Sequence, residues 1–139
     1  MVSRLRTAGE MAKQEGIIIG IRTGMDAKFD KKLLKKVGSS QIKVYYNFQD
    51  AADHHRDICK ELRKLGAQRI VQIHASNTDS VNLQEDPEIN LPKIRKTLDK
   101  MKWSGWLVVE RSRDVKRVRD VKYNFGRNIA YLKQVFQER

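Results

Sequence analysis

Four short apolar runs punctuate the chain: Ile17-Ile18-Ile19-Gly20-Ile21, Ile42-Lys43-Val44-Tyr45-Tyr46, Ile70-Val71-Gln72-Ile73 and Trp106-Leu107-Val108-Val109. Each is short, nearly continuous and rich in β-branched or aromatic residues, which is how a strand buried on both faces of a parallel sheet reads. Between the runs the apolar period changes to that of a helix. Residues 26–37 put Phe29, Leu33, Leu34 and Val37 on one stripe. Residues 50–65 do the same with Ala51, Ile58, Leu62 and Leu65, and residues 91–101 with Leu91, Ile94, Leu98 and Met101. Residues 4–14 predict a helix leading into the first strand. Residues 124–137 predict a last helix with Ile129, Leu132, Val135 and Phe136 apolar. Gly16, Gly38, Gly66 and Gly105 each fall between a helical pattern and the next strand, and glycine is the usual helix stop.

This order, one helix followed by four strand–helix units, predicts an α/β fold with a parallel sheet and right-handed crossovers. Residues 1–139 read as one such domain with a lead-in helix, and residues 75–90 form the longest irregular stretch. In parallel α/β folds the chemistry gathers beyond the carboxyl ends of the strands. The first strand ends abruptly in a cation, Arg22, which reads either as a solvated loop residue or as a binding group. The second ends Asn47-Phe48-Gln49-Asp50, and the Asp50 carboxylate is placed to cap a helix beginning at Ala51. His54 and His55 follow inside that helix, on its exposed side. The third strand ends in His74, ahead of a polar loop, as either a hydrogen-bonded structural histidine or a ligand and proton carrier. The fourth runs without a break into Glu110, whose carboxylate must be paired, by Arg111 or Arg113, or else bind a cation.

Composition narrows the classes. Hydrophobic residues at 40% and charged ones at 33% fit a globular chain rather than a disordered one. The single cysteine, Cys59, excludes an internal disulfide and a cysteine zinc cluster, and its place in a helical stripe makes it a small core residue. No run approaches a membrane span and the first residues lack the apolar stretch of a signal peptide, so no membrane partner and a cytoplasmic setting are expected. The net charge of +12 would attract phosphate-bearing partners. Its lysines and arginines are spread over three predicted helices, Lys31, Lys32, Lys35 and Lys36 on one, Arg56, Lys60, Arg63 and Lys64 on another, and Lys93, Arg95, Lys96, Lys100 and Lys102 on a third. No aromatic residues interleave with them to stack bases, so they read as solvated outer faces and specific nucleic-acid binding is not expected.

The ordered set GIIIGIR, VGSSQIKVYYNFQDAADHHRDICKELRKLG, QIHASNTD, DKMKWSGWLVVERSRD and NIAYLKQVFQ resembles the sugar phosphate isomerases/epimerases of the xylose-isomerase-like barrel family, with His74, Gly105-Trp106 and Glu110 in register. The resemblance implies the C-terminal half of a (β/α)8 TIM-type barrel: four parallel strands with flanking helices. An open flavodoxin-like sheet is the alternative that strand–helix alternation alone permits. In that family the last four strands each offer one ligand to a divalent metal, Mn or Mg: a glutamate, an aspartate, a histidine and a glutamate. Both glutamates also move protons beside the substrate carbonyl. Carried over, His74 and Glu110 match as metal ligands and catalytic groups. Arg22 stands where the first glutamate is expected and Asn47 where the aspartate is, with the acid displaced to Asp50. Arg22, Asn47, Asp50, Arg111 and Arg113 are then candidates for binding a sugar or sugar phosphate. A guanidinium in place of a carboxylate implies weak metal binding or none, and little activity from this chain alone. A half-barrel also implies a partner: a fragment's missing half, a second copy forming a homodimer, or a complementary half-barrel. An engineered or assembly scaffold without catalysis is the alternative function.

Overall fold

A computed structural model describes residues 1–77, 79–110 and 112–138. Helix α1 (Val2–Gln14) precedes β1 (Ile19–Ile21), α2 (Ala27–Val37), β2 (Ile42–Asn47), the short α3 (Phe48–Ala52), α4 (Ile58–Leu65), β3 (Ile70–His74), α5 (Leu91–Lys100), β4 (Trp106–Val108) and α6 (Val121–Phe136). All strand pairs are parallel and the sheet order is β1-β2-β3-β4. That order is the winding of a barrel. A flavodoxin-like sheet would reverse its order at a switch point, so the open-sheet alternative is set aside.

Local chemistry sets the helix ends. Asp26, Asp57, Asn90 and Asp120 accept the backbone N–H three residues on, at the starts of α2, α4, α5 and α6. Gly38 ends α2 in the left-handed conformation, φ 72°, donating its N–H to the Leu34 carbonyl. Arg6 of α1 donates to the carbonyls of Lys36 and Val37 at the same end, which ties the lead-in helix to α2.

The core lies between the sheet and its helices. Ile42, Val44 and Tyr46 of β2 and Ile73 of β3 meet Leu33, Val37, Leu62, Leu65 and Ile94, all buried. Burying one such side chain contributes about 1.5–3 kcal/mol. Cys59 is buried among them. The opposite face of the sheet follows from register: Tyr45 pairs with Gln72 and Gln72 with Trp106, and in-register partners of a parallel sheet point the same way. On this face Trp106 is 77% exposed, while Tyr45 and Gln72 are half-buried.

Three expectations are corrected. The helix read over residues 50–65 is two, because the chain turns at residues 53–57 with His55 at φ 50° and Asp57 starts a new helix. His54 and His55 are exposed, in the turn rather than inside a helix. Burial on both faces holds for neither edge strand, since Ile17, Ile18 and Trp106 are open to solvent. Among the described residues no helix is long and apolar enough to cross a membrane.

Candidate functional site

The carboxyl ends of the four strands bring Arg22, Asn47, Asp50, His74 and Glu110 together. Arg22 leaves β1 and turns its guanidinium onto Asp50, with Nε donating to Oδ2 at 2.8 Å and Nη2 to Oδ1 at 2.6 Å. Its Nη1 lies 3.9 Å from Glu110 Oε2. A two-pronged pair of this kind fixes both side chains in plane and direction. The pairing raises the Arg22 pKa, the hydrogen bond to Asp50 being the largest cause, so the guanidinium is a permanent charge. Asp50 therefore does not cap the helix. That role falls to Asn47, whose Oδ1 accepts from Gln49 N at 2.8 Å and Asp50 N at 3.3 Å, and the helix begins at Phe48.

Capping fixes the orientation of the Asn47 amide. Its Nδ2 then faces His74 Nδ1 at 3.3 Å, and the same ring nitrogen is 3.3 Å from Glu110 Oε2. The two contacts exclude each other. Asn47 donates only to a bare Nδ1, and the Glu110 carboxylate accepts only from a protonated one. Burial holds the His74 imidazole below its ordinary range, with the Glu110 carboxylate opposing that shift. The Tyr45 ring packs on His74, centroids 4.0 Å apart. Glu110 thus lies against Arg22 and His74 rather than Arg113. Arg113 instead makes a two-pronged pair with Asp79, Nε to Oδ1 at 2.8 Å, away from the cluster. Arg111 lies outside the described residues.

A sequence profile of the xylose isomerase-like TIM barrel matches residues 1–135. The chain belongs to that family. Among solved structures, this xylose isomerase-like chain is similar to a D-psicose 3-epimerase in the presence of D-fructose, at 14% identity and TM-score 0.78, covering 96% of this chain and 54% of that one. It is similar to an L-ribulose 3-epimerase at 17% identity and TM-score 0.70, covering 93% and 44%. It also resembles a family 2 AP endonuclease from Brucella melitensis at 16% identity and TM-score 0.69, covering 91% and 52%. At such identities the likeness is one of fold. No curated protein matches. The chain spans about half the length of these structures.

The residues of this xylose isomerase-like chain do not fit a divalent ion. Both Asp50 oxygens are held by Arg22, the Asn47 oxygen is neutral and spent on two backbone N–H groups, and a guanidinium stands beside Glu110. Among the described residues no group of three or more His, Cys, Asp or Glu side chains is arranged to hold a metal.

Two polar clusters next to the site went unread. Beneath the β1 and β2 ends, Thr23 Oγ1 donates to buried Asp30 at 2.5 Å, buried Glu61 accepts from Ala27 N at 3.0 Å, and Arg56 donates to the Asp50 carbonyl at 2.7 Å. Arg56 is therefore not a solvated outer-face cation. Burial lifts the Asp30 carboxyl to about 6 and raises that of Glu61 as well. Beneath the β3 and β4 loops, Asn82, Asn124 and Asn128 are buried. Asn82 donates to the Ser112 carbonyl at 3.0 Å and to Asn124 at 3.1 Å, and Asn128 donates to Ser112 at 2.6 Å. The signal was present: Asp30, Glu61, Asn124 and Asn128 sit among the buried positions of their helices, where a polar residue must find a partner.

Proposed function

We propose that this chain is a half-barrel derived from sugar or sugar phosphate isomerases and epimerases, with a degraded metal site and little activity of its own. The observation that carries this reading is the Arg22 guanidinium, bound two-pronged to Asp50 and facing Glu110. A fixed cation neutralises the carboxylates a divalent ion would need, and it repels the ion itself. Glu110 and His74 remain as the groups able to move a proton at a bound sugar, with Arg22, Asn47 and Asp50 as hydrogen-bonding partners for its hydroxyls.

Calorimetric titration of Mn²⁺ tests this. The parent should bind weakly, and Arg22→Glu with Asn47→Asp should gain far more affinity together than either does alone, because ligands of one ion share its charge. Tight binding by the parent refutes the reading. A second reading, a non-catalytic assembly half, is favoured by the exposed Trp106 on β4.

A further inference from the structure

We infer that the outer face formed by α2 and α4 docks the sugar–phosphate backbone of duplex nucleic acid through charge alone, reading no base. The inference is independent of the strand-end chemistry.

The cations are spread along the sequence, but the fold gathers one group of them. On α2 every exposed residue except Phe29 is a lysine: Lys28, Lys31, Lys32, Lys35 and Lys36. On α4 the exposed residues are Lys60, Arg63 and Lys64. The two helices pack side by side, joined where Glu61 accepts from Ala27 N at 3.0 Å. Each helix has one carboxylate, and both are turned inward: Asp30 is 4% exposed and Glu61 9%. Asp26 and Asp57, just before the helices, accept backbone N–H groups as caps. Among the described residues none of these eight cations forms an ion pair, whereas Arg22, Arg56, Arg95, Arg113, Arg117 and Arg127 all do. At the foot of the face Lys31 and Lys35 share a cavity of about 840 Å³ with Lys43 and Arg69, and no carboxylate lines it. Helix α1 flanks α2 on one side and α5 flanks α4 on the other, so the face lies within this chain's own helix array, whatever pairs with β1 or β4.

The kind of partner follows from what the face lacks. A protein interface is built on a buried apolar or aromatic centre and is depleted in lysine. A helix lying on a lipid surface inserts an apolar stripe. On α2 and α4 the one exposed apolar side chain is Phe29, 37% exposed. Nor is there a row of aromatic rings to stack the unpaired bases of a single strand. What fits is a dense row of phosphates, which lysine binds as a point charge. The eleven residues of α2 span about 16 Å. A duplex carries one charge per about 1.7 Å of its axis, so about nine phosphates pass over a face that offers eight cations.

Fluorescence anisotropy on the whole chain tests this with a labelled duplex of about 20 base pairs, between about 50 mM and about 200 mM NaCl. Micromolar binding at low salt is expected, equal for unrelated sequences. Log K should fall against log salt with a slope of about −4 to −5, as about five phosphate contacts require. Two variants of equal net charge then locate the contacts. Lys31→Gln, Lys35→Gln, Lys60→Gln and Lys64→Gln together clear the face. Lys116→Gln, Arg119→Gln, Lys122→Gln and Lys133→Gln together remove as much charge from exposed positions in and just before α6. The first should weaken binding at least about tenfold and flatten the slope by about 2 to 3, while the second should change the slope by less than about 1. In the parent, bound duplex should shield Lys31, Lys35, Lys60 and Lys64 from acetylation and leave Lys116 and Lys133 open, which tests the face without any variant. Equal losses in the two variants, an unchanged slope in the first, protection spread evenly over all lysines, a single strand binding more tightly than the duplex, or displacement of the duplex by polyglutamate or phosphatidylserine vesicles at equal charge would each overturn the inference. An RNA duplex of the same length shows which nucleic acid the face prefers, and either preference supports it.

Discussion

Replacing Asp30 by asparagine should stabilise the fold at pH 7.5 and leave it unchanged near pH 3.5 (about neutral against about the unfolded carboxyl's range). Asp30 is 4% exposed and its carboxyl is lifted from 3.8 to about 6, burial being the main cause. As pH rises, the unfolded chain releases this proton first. Stability is therefore lost between about pH 4 and pH 6 and the full penalty persists above that window. At about 1.4 kcal/mol per unit, the shift corresponds to about 3 kcal/mol. Asparagine keeps an acceptor for the Thr23 hydroxyl, 2.5 Å away. It gives up the favourable placement of a carboxylate in the first turn of α2, worth up to about 1 kcal/mol. The net gain is about 2 kcal/mol, read as the difference in urea unfolding free energy between parent and variant at each pH. An equal gain at both pH values, or a loss at pH 7.5, would refute the argument that burial of a charge is what Asp30 costs.

Other outcomes follow from the same geometry. Asn82→Ala should lower stability by about 2–3 kcal/mol, since it strips buried donors from Ser112 and Asn124, and a shift in urea midpoint reads it. Gly38→Ala meets no atom within 4 Å, so its cost is purely that of φ 72° for a residue with a side chain, about 1 kcal/mol in a thermal melt. DNA should bind weakly, without sequence preference and with a steep salt dependence, in a fluorescence anisotropy titration; a tight, sequence-selective complex at physiological salt would contradict the scattered-charge reading.

The strands and the outer helices were legible because burial imposes a period on each, and Gly38 and Gly66 mark real helix ends. The candidate site was legible as four strand ends, and the structure brings five of its named residues into one cluster. What stayed hidden was partner choice. From sequence, Glu110 has two arginines within three residues, yet the sheet carries Arg22 to it from β1 and Arg113 turns to Asp79. The break between α3 and α4 was masked because Ala51, Ile58, Leu62 and Leu65 keep a helical spacing across the turn; Asp57, a capping residue ahead of Ile58, was the overlooked signal. Edge position is likewise invisible to a period, so Trp106 read as a central-strand residue.

The sheet order has a consequence for how the chain acquires its structure. Each strand pairs only with the strand before or after it in sequence. Among the described residues every strand pairing is thus between sequence neighbours, which keeps the loops to be closed short. A growing polypeptide can lay down β1, then β2, then β3 as each leaves the ribosome, every new strand docking on a template already formed.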